Sequence, residues 1–158
     1  MKALVLVAAV FATSPVAAEP NQLSQHPRVG ELAQINFNEG SARLSRDYNR
    51  KLGEICGWAQ TNPNGLVIID GFASPKETKG AQDVVLSLHR AEAIRDQLIA
   101  QGIDPDRIVL AAFGGRGTPR ATVYGTNESL TTAVTAIGRS NPTTIVWGTR
   151  PREAVAGR

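Results

Sequence analysis

A chain of 158 residues, 42% hydrophobic and 20% charged, has the makeup of one globular domain and is too short for two of ordinary size. Its formal charge is only +3, and the nearest thing to a basic cluster is Arg150, Arg152 and Arg158 in a Pro/Gly-containing tail, which argues against a nucleic-acid partner. The single cysteine, Cys56, excludes an internal disulfide and a thiolate metal cage.

Residues 1–18 carry the three parts of a secretory signal: Lys2, an apolar core over residues 3–12, and small side chains at Val16 and Ala18 before Glu19-Pro20. That core is too short to remain in a bilayer, and no later stretch is long and apolar enough to cross one. Cleavage is expected after Ala18, and no cysteine adjoins the cut to take a lipid. Residues 19–32 are polar, with Pro20 and Pro27, and read as an extended leader. A short strand is expected over residues 33–38, with Ile35 and Phe37 on one side by alternation. Asn38-Glu39-Gly40-Ser41 is then a turn. From Leu44, the positions Tyr48, Leu52, Ile55, Cys56 and Ala59 trace one face of a helix, with Ser45 as its N-cap. Cys56 lies on that face and reads as a buried, inert thiol.

The breaker Asn62-Pro63-Asn64-Gly65 precedes a β-branched apolar run at residues 66–69, which is a buried strand by length and composition. After a polar loop, Val84, Leu88, Ala91, Ile94 and Leu98 step by four, three, three and four along one helical face. Leu88→Asp is therefore expected to place an unpaired charge in the core. Gly102 supplies a left-handed stop, and Pro105 lies where the helix cannot continue. A third strand follows at residues 108–113, then a Gly-rich loop ending at Pro119. Residues 122–140 are the hardest to assign: Leu130, Val134 and Ile137 fit one face of a short helix, while the Thr-rich composition argues the other way. Residues 143–147 read as the last strand, and residues 149–158 as a flexible tail.

The central unit also carries a resemblance. Gly71, Leu86, Ser87, Arg90, Ala91, Gly102, Ile103, Arg107 and Ile108 stand at the spacing of the OmpA-like signature, which reads Gly-His-Thr-Asp, Leu-Ser-x-x-Arg-Ala and Gly-Ile-x-x-x-Arg-Ile. The stretch from Ile35 to Leu52 is similar to that family's opening strand, loop and helix. The resemblance implies an α+β fold over residues 33–148, β-α-β-α-β-β, as one mixed four-stranded sheet with two helices packed on one face. It also implies a periplasmic, non-catalytic module, associated with the outer membrane or cell wall, whose partners are peptidoglycan and proteins of envelope complexes.

In the family, an Asp and an Arg grip the ammonium and carboxylate of diaminopimelate in the peptidoglycan stem. This chain keeps the arginine as Arg90. In place of the family's aspartate it has Ser74, in Gly71-Phe72-Ala73-Ser74-Pro75, so a charge-assisted bond becomes a neutral one. Asp83 or Glu77 is placed to return a carboxylate. The stem-peptide contacts implied are thus Arg90, Asp83, Ser74, Asn38 and Glu77. The bland reading of Arg90 is a salt bridge to Glu92 or Asp83, and that of Asp83 is an acid favoured by a helix N-terminus. Asn141-Pro142-Thr143-Thr144 stands where the family has Asn-Arg-Arg-Val before its last strand, so that arginine pair is expected to be missing. His89 and His26 have no nucleophile or carboxylate pair around them that suggests catalysis, and no cofactor is expected. The alternative function is an OmpA-like fold with a degenerate pocket, serving as a protein-interaction component of an envelope assembly.

Overall fold

The structure is a computed structural model that describes residues 29–46, 48–77 and 80–148. The signal segment and the tail expected at the two ends lie outside the described residues. The elements run β1 (Val29–Asn36), α1 (Tyr48–Thr61), β2 (Leu66–Phe72), α2 (Ala81–Ala100), a 3₁₀ turn (Pro105–Arg107), β3 (Ile108–Ala112), β4 (Arg120–Thr126), α3 (Leu130–Arg139) and β5 (Thr144–Trp147). The strands form one mixed sheet in the order β1-β4-β2-β3-β5. β2 lies at its centre, parallel to β3 and antiparallel to β4, and is buried along its whole length. A strand covered on both faces needs the continuous apolar run that residues 66–69 supply.

The two faces of the sheet have separate cores. On one, Val67 and Ile69 of β2 pack with Leu52, Ile55 and Ala59 of α1 and Ala91, Ile94 and Leu98 of α2. On the other, Leu66, Ile68 and Phe72 pack with Tyr124, Val109 and Phe113, and with Ala133 and Ile137 of α3. The α+β fold with α1 and α2 on one face matches the sequence expectation. The sheet has five strands among the described residues, rather than four.

The extra strand is β4, within and just before the stretch that resisted assignment. It inserts between β1 and β2, Ala121 and Val123 facing α1 and α2 while Tyr124 faces α3. Its sequence ends in Tyr-Gly-Thr, and Gly125 obscured the alternation; the glycine is there because the Trp58 ring lies over it, 2.6 Å from where a Cβ would sit. The last strand expected at residues 143–147 is the edge strand β5, antiparallel to β3. The helix hinted at by Leu130, Val134 and Ile137 forms as α3, with the Ser129 side chain accepting from the Thr132 N–H as its N-cap. Three threonines in it cost propensity, but the buried Ala133 and Ile137 offset that by tertiary packing.

Smaller differences have simple causes. β1 begins at Val29, inside the segment expected as leader, because β4 offers it a partner as far as Thr126. α1 begins at Tyr48 rather than Leu44, and the Tyr48 N–H reaches the Ser45 carbonyl. Leu44 still packs on the core from the preceding loop. Cys56 is only half-buried against the core, and burial raises its thiol pKa. On α2 the buried stripe is Ser87, Arg90, Ala91, Ile94, Arg95 and Leu98, with Val84 and Leu88 at its margin and half-buried. Gly102 has φ 92°, and Gly102 and Ile103 donate to the carbonyls of Ile99 and Leu98, closing α2 as expected.

Candidate functional site

The site is made where β2 ends and α2 crosses it. Gly71 lets the two backbones touch: a Cβ there would lie 1.9 Å from the Ser87 carbonyl oxygen. Ser87, buried one turn before Ala91, donates from its hydroxyl to the Val84 carbonyl and accepts from the Gly114 N–H at 3.0 Å. This pins α2 to the loop after β3. Arg90 is thereby held beneath the end of β2 and is fully buried.

A buried guanidinium must find a partner for each of its five N–H groups, and Arg90 does. Nε donates to the Ser41 carbonyl at 3.0 Å. Nη1 donates to the Phe72 carbonyl at 3.0 Å and to Glu77 Oε2 at 2.9 Å. Nη2 donates to the Asn38 carbonyl at 3.1 Å and to Glu77 Oε1 at 2.5 Å. The Phe37 ring lies against the same cation, with its centroid 5.4 Å from Cζ.

Glu77 is brought to this point by two turns. In Ser74-Pro75-Lys76-Glu77 the Glu77 N–H returns to the Ser74 carbonyl, and the proline suits the second position of such a turn. In Asn38-Glu39-Gly40-Ser41 the Ser41 N–H returns to the Asn38 carbonyl, with Gly40 at φ 67°, a conformation glycine adopts without strain. Each turn offers a backbone N–H to the carboxylate: Gly40 to Oε1 at 2.7 Å and Ser74 to Oε2 at 2.6 Å. The Glu77 carboxylate therefore accepts four hydrogen bonds, two from a cation, and neither side chain of the pair has exposed surface. The bonds from Arg90, outweighing burial and assisted by those of Ser74 and Gly40, hold the Glu77 pKa at about 2.

Of the residues expected at the site, Arg90, Glu77, Ser74 and Asn38 come together, the last two through their backbones. The Ser74 hydroxyl is turned to the Lys76 N–H. Asp83 stands in the first turn of α2 with its carboxylate against Gly115, where a Cβ would meet Oδ2 at 2.8 Å. Glu92 pairs with Arg95, not Arg90. His89 is exposed. Among the described residues there is no group of three metal-ligating side chains, and no helix is long and apolar enough to cross a membrane.

Three features escaped the sequence reading. The Gly40 N–H is a donor to Glu77 whose signal, a Gly in a polar turn, is too common to single out. The second is Arg120, which opens β4 and lies over the Phe72 ring at 5.1 Å; it belongs to a strand that the sequence reading did not foresee. The third is Asp70, buried within β2 on the α3 face, with Oδ1 lacking a hydrogen-bond partner.

The sequence profile of the OmpA family matches residues 36–133. No curated protein matches the chain. Among solved structures, the peptidoglycan-associated lipoprotein from Burkholderia pseudomallei is similar with a TM-score of 0.52 and 20% identity, over 58% of this chain and 88% of its own. The OmpA-like domain of FopA1 from Francisella tularensis is similar with a TM-score of 0.51 and 19% identity, over 59% of this chain and 70% of its own. The C-terminal domain of Helicobacter pylori MotB has a TM-score of 0.53 and 15% identity, over 68% of this chain and 96% of its own.

Proposed function

Because this chain belongs to the OmpA family, we propose that it is a non-catalytic module of the cell envelope, exported to the periplasm, that associates with peptidoglycan through the carboxylate-bearing end of a diaminopimelate stem. One observation carries the reading: Arg90 and the N–H groups of Gly40 and Ser74 form a dry, preorganised cup for one carboxylate. Charge-assisted, bidentate bonds of this kind are the strong way to hold such a group. A guanidinium and inward-pointing backbone N–H donors are the groups that recognition of a carboxylate needs.

A second reading is favoured by a different observation. All five Arg90 N–H groups are already used, two of them by Glu77. A domain whose cup is permanently filled would serve the envelope as a protein-interaction component. The two readings part in a sedimentation experiment with purified sacculi and the chain lacking residues 1–18. Co-sedimentation that a soluble diaminopimelate-containing muropeptide reverses supports wall binding. Protein left entirely in the supernatant, with the fold intact by circular dichroism, supports the interaction component.

A further inference from the structure

The carboxylate in the cup belongs to the chain itself, and its geometry is that of a bound ligand. It is fully enclosed, bidentate to a guanidinium, and met by one backbone N–H on each oxygen. The residues that hold it come from three separate places in the sequence: the turn after β1, the end of β2 and the middle of α2. A glutamate needed only to neutralise Arg90 would not require two inward-pointing N–H groups from two turns. We infer that Glu77 is an internal ligand, occupying the carboxylate site in competition with any external carboxylate. The inference rests on the carboxylate-cup reading of the site given above, and it adds what sets the affinity.

An internal carboxylate is presented at high effective concentration by the short tether from β2. An external one reaches Arg90 only in the fraction of molecules in which Glu77 is out, and its apparent Kd is weakened in inverse proportion to that fraction. The lost charge at Ser74 then matters less than the occupant. Removing the Glu77 carboxylate while leaving Arg90, Gly40 and Ser74 in place should leave a vacant site of the right size for a one- or two-carbon carboxylate.

The test is chemical rescue of Glu77→Ala by sodium formate and sodium acetate, with sodium chloride at equal ionic strength as control. Glu77→Ala should melt below the parent chain and recover saturably with formate, by roughly 5 °C at a tenfold excess over the formate Kd. Chloride should not reproduce this, and the parent chain should respond to formate no more than to chloride. If Glu77→Ala fails to fold in plain buffer, refolding yield in formate against chloride is read instead. Glu77→Gln fills the cup without charge and should show no formate response. Equal effects of formate and chloride on Glu77→Ala would overturn the inference, as would an equal formate response in Glu77→Gln. A second arm titrates the parent chain and Glu77→Ala with the diaminopimelate-containing muropeptide, where the variant should bind about tenfold more tightly or better. Equal binding by both overturns the competition. Formate rescue with muropeptide binding to neither leaves the internal ligand standing and removes wall binding as the function.

Discussion

Two buried carboxylates flank the end of β2, and the chain holds them in opposite ways. Glu77, in the turn beyond the strand, has four hydrogen bonds and a cation, and its pKa is held at about 2. Asp70, within the strand on the α3 face, is 1% exposed and has one oxygen without a partner, and burial raises its pKa well above the ordinary value. Its neighbour Tyr124 is pushed up in turn, by burial first and then by the charge of Asp70. The α2 side of the sheet is therefore built to keep a carboxylate ionised, and the α3 side to disfavour one. Burial decides the outcome at Asp70, whereas at Glu77 the bonds from Arg90, Ser74 and Gly40 outweigh it.

The largest expected effect breaks the α2 side. Arg90→Ala leaves the Glu77 carboxylate buried without its cation and removes the partner of three backbone carbonyls. Loss of one member of a buried pair costs about 3–5 kcal/mol, readable as a fall in the urea midpoint. A cost within the range of surface pairs, about 1 kcal/mol or less, would mean the cluster is not the dry one described. On the other side, Ile137→Ala should cost less, within the about 2–5 kcal/mol of an Ile→Ala cavity, since α3 is held there by the apolar packing of its Ala133 and Ile137 with Tyr124 and Leu66. If Ile137→Ala were the more damaging, α3 would be the keystone and the charged cluster an accessory.

How much of this was legible in the sequence differs between the same two sides. The α2 side was readable because its determinants are local: an apolar run at residues 66–69, a periodic stripe ending in Leu98, and a glycine stop at Gly102. Arg90 stood out because its neighbours kept a spacing. That Glu77 would close on it was not foreseen: Glu92 and Asp83 were the partners expected for Arg90, and Glu77 was expected to face the ligand, because its place depends on the fold of a turn. The α3 side was readable only in part: Leu130, Val134 and Ile137 hinted at α3, but β4 was not foreseen. β4 is strand by virtue of two partners distant in sequence, β1 and β2, and the Thr-rich α3 is helix by virtue of the sheet face it covers. Asp70 gave no signal at all, because an acid following Ile69 reads as the end of a strand and not as its buried fifth residue.

The smallest effect sharpens the comparison most. An unfolded Asp70 ionises near 3.8, whereas the folded one does so only at a higher pH. Between those two values the folded protein holds a proton that the unfolded chain has lost. The stability associated with neutral Asp70 is thus fully present below 3.8 and is lost as pH rises through the raised folded value, by up to about 1.4 kcal/mol per pH unit. Glu77 has the reverse sign: its contribution is fully present above 4.5 and is lost as pH falls through about 2. The parent chain sums the two slopes. Asp70→Asn is neutral at every pH and close in shape, so it should delete the first slope and leave the second. Near pH 4 the variant should lie within about 1 kcal/mol of the parent. Its advantage should then grow with rising pH until the parent's Asp70 is fully ionised, while the fall toward pH 2 stays the same in both. Urea midpoints measured across this range for the two proteins decide it. Curves that run parallel throughout would show that Asp70 carries the same charge folded and unfolded, and the contrast between the two faces of the sheet would have to be given up.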